Sequence, residues 1–280
     1  EPVEMARAIR EKIKSETGLT ASVGVAPNKF LAKFASDLDK PDGLTLLWSA
    51  DVERVLWPRP ITDIFGIGEA SARKLHGLGV RTIGQIAAMP IETLRSALGD
   101  KTRDGQTGWA DRLHERARGI DERPVVPDRH AKSVGHEQTF GENLGDPEAV
   151  RRFLLRQTEA VGRRLRAKGR AGRTVTVKIR FGDFETITRA TTLDEATDRT
   201  DELWRAALAT FDAWAASSFR PVRLVGVSVS GLTAASEPRQ AGLFGAETDE
   251  RSGRLDEAAD AIAKKFGKDA ITRARSLRRE

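Results

Sequence analysis

Apolar positions recur along this chain at two spacings, one helical and one alternating, and their order predicts an α+β, multidomain protein. Met5, Ile9 and Ile13 lie at helical spacing and the stripe stops at Gly18, so an amphipathic helix opens the chain. Thr20 to Val25 is a short β-rich run. Asn28 to Leu38 returns to helix with Phe30, Leu31, Phe34, Ala35 and Leu38 on one face, and Leu44 to Leu47 is a brief strand after the turn Lys40-Pro41-Asp42-Gly43. Such small elements enclose a thin core, so residues 1–48 read as part of a domain. From 49 to 120 the apolar runs are short, helical and broken by Gly and Pro. Residues 121–131, with Pro124 and Pro127, form a polar connector.

Residues 132–232 alternate cleanly. Ser133 to Phe140 reads as strand. Asp146 caps a helix with Pro147 in its first turn and Val150, Phe153, Leu154, Val161 and Leu165 as its buried stripe, which turns most of its arginines outward. Thr174 to Phe181 alternates strictly, with Val175, Val177, Ile179 and Phe181 inward and Lys178 and Arg180 on the other face. Gly182-Asp183 turns the chain into a second strand, Phe184 to Leu193. A helix through Leu203, Ala207 and Phe211 and a strand through Val225, Val227 and Val229 complete the order βαββαβ. That order is a split βαβ sheet with both helices on one face and the other face open. Residues 233–280 form a polar tail that presents Gln240-Ala-Gly-Leu-Phe244, then an amphipathic helix with Leu255, Ala259, Ile262 and Phe266, then a basic end.

Composition narrows the classes. The 280 residues leave room for two domains or three small ones, and 39% hydrophobic with 31% charged residues suits globular cores. No apolar run approaches the ~18 residues that span a bilayer. The charged, amphipathic N-terminus is unlike a secretory signal, and a chain opening on Glu1-Pro2 reads as a fragment. The absence of cysteine excludes disulfides, thiolate metal sites and cysteine nucleophiles, and fits a cytoplasmic protein. The four histidines are scattered without metal-ligand spacing. The net charge is +6, yet Arg151 to Arg180 holds eleven basic side chains against one acid, Glu159. That local field points to a polyanion such as a nucleic-acid backbone, with a solvated helix face as the other reading. Too few acids are interleaved for i,i+4 pairing to neutralise it within the helix.

One further pattern has phosphate chemistry. Ile61-Thr-Asp-Ile-Phe-Gly-Ile-Gly68, followed by a helix over Glu69 to Leu78, resembles a helix-hairpin-helix. The main-chain N–H groups of Gly66 to Gly68 and the next helix N-terminus can bind one phosphate, and glycine permits the close approach. A plain αα-hairpin with glycines for the turn fits the same residues.

Taken together the blocks resemble the C-terminal portion of a Y-family translesion DNA polymerase, in the bacterial DNA polymerase IV branch. The residues that carry the resemblance are Ser22-Val-Gly-Val-Ala-Pro-Asn-Lys-Phe-Leu-Ala-Lys-Phe-Ala-Ser36, Lys40-Pro-Asp-Gly43, Phe65-Gly-Ile-Gly68, Lys132-Ser-Val-Gly-His-Glu-Gln-Thr-Phe140 and Arg173-Thr-Val-Thr-Val-Lys-Ile-Arg-Phe181. It implies a partial palm over 1–48, an all-helical thumb with a helix-hairpin-helix over 49–120, a linker over 121–131, a βαββαβ little finger over 132–232 and a tail over 233–280. It places Lys40 on the triphosphate of the incoming dNTP, with Lys29 and Lys33 supporting the same field. Gly66, Ile67 and Gly68 fall on the primer backbone, and Ser133, Lys178, Arg180 and Arg189 on the duplex. Gln240, Leu243 and Phe244 resemble a sliding-clamp-binding motif.

The implied partners are primer-template DNA, dNTP and the sliding clamp, with the chain a monomer. The implied cofactor is Mg2+, held in the family by three carboxylates upstream of the matching segment. The acid pairs this chain does contain, Asp121-Glu122, Asp194-Glu195 and Asp201-Glu202, read as solvated surface, so the chain by itself is expected to be inactive. A non-catalytic DNA- and clamp-binding scaffold of the same family is the alternative. A helix-hairpin-helix glycosylase would place a catalytic Asp or Lys soon after the hairpin, and Gln85 to Pro90 offers neither.

Overall fold

A computed structural model describes residues 1–100, 107–128, 131–236, 246–267 and 270–271. They fall into two units, Glu1–Asp128 and Arg129–Glu280.

In the first unit α1 (Pro2–Thr17) ends at Gly18, whose φ of 70° is left-handed and whose N–H returns to the Lys14 carbonyl. Strands β1 (Val23–Val25) and β2 (Leu44–Leu46) pair in parallel, joined by α2 (Lys29–Leu38). Asn28 caps α2 by accepting from Leu31 N at 2.9 Å. Helix and strand approach so closely at Gly24 that a Cβ there would lie 2.1 Å from the Ala32 carbonyl oxygen.

The apolar face of α2 is buried as its spacing predicts, but residues 1–48 do not keep a core to themselves. Phe30, Leu31, Phe34, Ala35 and Leu47 share one cluster with Leu56, Ile61, Ile64, Leu75, Ile83 and Leu113 from the helical segment that follows. The thin core is thereby completed. The stripe on α1 is different: Ala6 is buried, while Met5 and Ile9 are exposed among the described residues.

The elements of residues 49–120 are all helical among the described residues, apart from an isolated antiparallel bridge between Pro60 and Thr82. Short 3-10 and π-type turns over Ser49–Asp51, Val52–Leu56 and Ile61–Asp63 lead into α3 (Glu69–Gly77), α4 (Ile83–Ala88), α5 (Ile91–Leu98) and α6 (Trp109–Ala117). The first arm of the hairpin is a single 3-10 turn, where the sequence suggested a full helix. Pro60, with ψ of 147°, sets the chain extended just before it, and Gly66 follows six residues after Pro60.

The second unit is built from β3 (Ser133–Leu144), α7 (Pro147–Ala167), β4 (Arg170–Phe181), β5 (Thr186–Thr197), α8 (Thr200–Ser218), β6 (Val222–Ala234) and α9 (Ala246–Phe266). The four strands lie in the order β3-β6-β4-β5, with every neighbouring pair antiparallel. Strand β6 therefore sits between β3 and β4, the two strands that the crossover helix α7 joins. This is the split βαβ arrangement. Asp146 caps α7 by accepting from Glu148 N and Ala149 N at 2.9 and 3.0 Å.

The core lies between the sheet and its two helices. Val150, Leu154 and Leu165 of α7 and Leu203 and Phe211 of α8 meet Val175, Val177, Ile179, Val225, Val227 and Val229 of the central strands.

Helix α9 docks differently from its apolar pattern. Leu255 and Phe266 of the expected stripe are exposed, whereas the Asp256 side chain is 3% exposed. Asp256 accepts from Arg166 Nη1 at 3.0 Å, and Asp260, one turn on, accepts from Arg166 Nε at 2.7 Å. Asp256 also accepts the N–H of Thr200 at 2.8 Å, the first residue of α8, whose own N-cap Arg199 supplies no side-chain bond. The tail helix thus caps α8 from outside it. Arg166, only 12% exposed, explains the choice of face: an uncompensated buried guanidinium costs more than leaving Leu255 and Phe266 in water.

Candidate nucleic-acid interface

The face of the sheet opposite α7 and α8 is polar, and strand register orders it in rows. Ser133, Ser230, Thr174 and Thr192 form one row; Gly135, Ser228, Thr176 and Ala190 the next. Then come Glu137, Gly226, Lys178 and Thr188, and last Thr139, Leu224, Arg180 and Thr186. Hydroxyls fill one end and cations the other. Lys178 Nζ reaches Glu137 at 2.8 Å across the intervening Gly226, where a Cβ would lie 2.7 Å from Glu137 Cβ. Arg180 Nε donates to Thr186 Oγ1 at 2.8 Å. Ser133 stands exposed in the hydroxyl row.

Arg189 does not belong to this face. It pairs with Val177, an inward residue, so it sits on the helix side of the edge strand. Thr191, on the same side, bonds Thr210 of α8 at 2.7 Å. Arg189 therefore stands on the opposite side of the sheet from Lys178 and Arg180, since side chains one residue apart in a strand point to opposite faces.

The arginines of α7 are also on the other side, and acids from elsewhere answer many of them. Arg151 pairs with Asp212 at 2.8 Å and with Glu148, and Arg152 lies 3.7 Å from Asp146. Arg164 donates to the Gly135 carbonyl at 2.8 Å, and Arg163 and Arg166 are held by α9. Sequence reasoning missed the acids of α9. Their signal is Asp256 and Asp260 one helical turn apart, matching Arg163 and Arg166 at i,i+3 on α7.

In the first unit Gly66 has φ of 105°, and Gly68 is the N-cap of α3 and brings no side-chain cap. The Ile67 N–H closes the turn onto the Ile64 carbonyl at 3.0 Å, so Ile67 shapes the hairpin while the α3 amides start beside it. Helix α6 holds the hairpin in place. Arg116 lies over the Trp109 ring at 5.5 Å and donates to the Phe65 carbonyl at 3.4 Å, and a Cβ on Gly66 would come within 3.1 Å of Trp109.

Lys40 lies 2.5 Å from Asp37, which Lys33 also binds. Lys33 and then Lys40, through their hydrogen bonds, hold the Asp37 carboxyl below its ordinary value. Lys33 and Lys40 thus share one negative charge, which reduces the joint field expected of them, and Lys29 donates to the Pro124 carbonyl at 3.3 Å. Asp42, at φ of 59°, ties this turn to α1 through Arg10 at 2.8 Å and Lys14 at 3.2 Å.

Of the acid pairs, Asp121 is not solvated. Its side chain is 4% exposed and Arg123 grips both oxygens, at 2.6 and 2.8 Å, which lowers its pKa. Asp194 and Glu195 lie within β5, and Asp201 and Glu202 in the first turn of α8. Gln240, Leu243 and Phe244 lie outside the described residues.

Three family descriptions match this chain: the impB/mucB/samB family over residues 1–37, the IMS family HHH motif over 49–80 and the impB/mucB/samB family C-terminal domain over 131–243. The chain is 40% identical to DNA polymerase IV of Moorella thermoacetica, over 99% of this chain and 66% of that protein. It is 35% identical to DNA polymerase IV of Alkaliphilus oremlandii, over 98% of this chain and 69% of that one. It therefore spans about two thirds of the length of these relatives. Among solved structures, the Y-family DNA polymerase chimera Dbh-Dpo4(243-245)-Dbh superimposes with a TM-score of 0.65 at 25% identity, covering 83% of this chain and 64% of the chimera. With the hairpin and the split βαβ sheet in the matched regions, this chain belongs to the Y-family of DNA polymerases, in the DNA polymerase IV branch.

Proposed function

We propose that the chain is the DNA-gripping portion of a translesion DNA-directed DNA polymerase, comprising the end of the palm, the thumb, the little finger and a clamp-binding tail. The observation that carries this reading is the open sheet face, where hydroxyl rows run into Lys178 and Arg180. Cations and hydroxyls on a flat sheet bind phosphates without reading bases, as a polymerase that accepts varied templates requires. In this reading Ser133, Lys178 and Arg180 contact the duplex backbone. The Gly66–Gly68 hairpin takes a primer phosphate on the first amides of α3. Lys40 takes the dNTP triphosphate. Its exposed pair with Asp37 is weak and exchanges readily for a phosphate. Gln240, Leu243 and Phe244 bind the sliding clamp, with the chain monomeric.

Among the described residues no three His, Asp or Glu side chains converge as a Mg2+ site. We assign the metal-binding carboxylates to a part of the polymerase outside this chain. Binding of a fluorescent primer-template should then weaken steeply between 50 and 200 mM salt, about 10³–10⁵-fold for ~6–10 neutralised phosphates. Primer extension by the chain alone should be absent. A flat salt response would sink the DNA reading, and robust extension would sink the assignment of the carboxylates. Loss of binding to the clamp in F244A checks the tail.

A further inference from the structure

Beyond the last cationic row of the open face, the β4–β5 turn holds an aromatic side chain that the core does not use. Phe184 is 64% exposed and has φ of 66°, a left-handed backbone that a bulky residue rarely adopts. Local ties hold it there. Phe181 N donates to the Glu185 carbonyl at 2.9 Å, Phe184 N to the Phe181 carbonyl at 3.1 Å, and Glu185 N to Asp183 at 3.0 Å. Arg220 clips Asp183 and Glu185 at 2.6 and 2.8 Å while lying 4.2 Å over the Phe181 ring. These bonds fix the backbone of the turn and leave the phenyl ring outside.

The guanidinium of Arg223 lies 4.9 Å over the Phe184 ring and has no carboxylate partner among the described residues. Arg180 Nε donates to Thr186 Oγ1 and Thr186 donates to the Phe184 carbonyl, at 2.8 and 3.3 Å, so the turn continues the open face. Arg180 likewise has no carboxylate partner among the described residues. The nearest acids of the turn, Asp183 and Glu185, are engaged by Arg220.

From this constellation we propose that Phe184 is a stacking platform for an unpaired nucleobase of single-stranded DNA, with Arg223 as the positioning residue that orients the ring. An apolar protein pocket would accept the phenyl but leave two guanidiniums without an anion. A nucleotide satisfies both, its base on the ring and its phosphate on Arg180 or Arg223. The inference rests on the open face binding DNA.

The test uses the full chain and two labelled oligonucleotides of equal length, oligothymidylate and an abasic strand with the same phosphates. Stacking of one base predicts an affinity ratio of about 5–150 in favour of the base-bearing strand. F184A should bring the ratio close to one with abasic binding unchanged, and F184W should keep it. The double variant K178A/R180A should weaken both strands equally and leave the ratio intact. A ratio near one in the unmodified chain, or a ratio that survives F184A, overturns the platform. Failure of K178A/R180A to weaken either strand overturns the open-face reading instead.

Discussion

The two faces of the second unit carry the same kind of side chain in opposite states. On the helix side, Arg151, Arg163 and Arg166 of α7 are met by Asp212, Asp260 and Asp256, carried by α8 and α9. On the open face Lys178 has one acid, Glu137, and Arg180 bonds a threonine hydroxyl. Burial decides this at Arg166, which is 12% exposed and whose guanidinium must find carboxylates. Arg151, Arg163 and Lys178 are 29, 32 and 31% exposed and differ only in which acids α8 and α9 bring near. A run of basic residues is therefore not one electrostatic object once strand and helix divide it.

The largest break in this comparison should come from Asp256→Ala. It removes one of the two carboxylates on Arg166 and uncaps α8, with Asp260 still paired to Arg166. The loss is about 2–4 kcal/mol, from one buried charge-assisted hydrogen bond and one cap. Urea unfolding of the whole chain should show the transition of the second unit moved down by more than ~1 M. DNA affinity below that transition should not change. An unmoved transition would mean that α9 is only laid on the surface.

Next in size, removing Lys178 and Arg180 together should lower the log–log salt slope of duplex binding by about 2, one for each lost phosphate contact. Stability should stay within about 1 kcal/mol, because Lys178–Glu137 is an exposed pair. The smallest effect is expected from Arg189→Ala, on the helix side of the edge strand, with duplex affinity changed less than about twofold. A loss matching that of Lys178 in the same titration would return Arg189 to the interface.

Much of this architecture is legible from pattern. The period-2 run Val175 to Phe181 and the stripe on α7 specify buried faces directly, because alternation in a strand and helical spacing have no second interpretation at that length. The hairpin and Lys40 turn are visible as glycine and proline signals, though the first arm of the hairpin shortened to one 3-10 turn after Pro60. Which side of β5 carries Arg189 is less legible, because its parity follows only once Ile187 is known to pack inward. The tail was harder still. Its apolar stripe at Leu255 and Phe266 names no docking partner, and nothing local marks Asp256 as the buried residue.

The sequence by itself determined the order of elements, the inward faces of α2, α7 and β4, and the family to which the hairpin and sheet belong. Only the tertiary structure decided which charges stay available. Pairing depends on residues distant in the chain, such as Asp256 and Arg166, meeting at a buried site. No local periodicity encodes that meeting, because the cost of an unpaired charge arises only when packing removes the water around it.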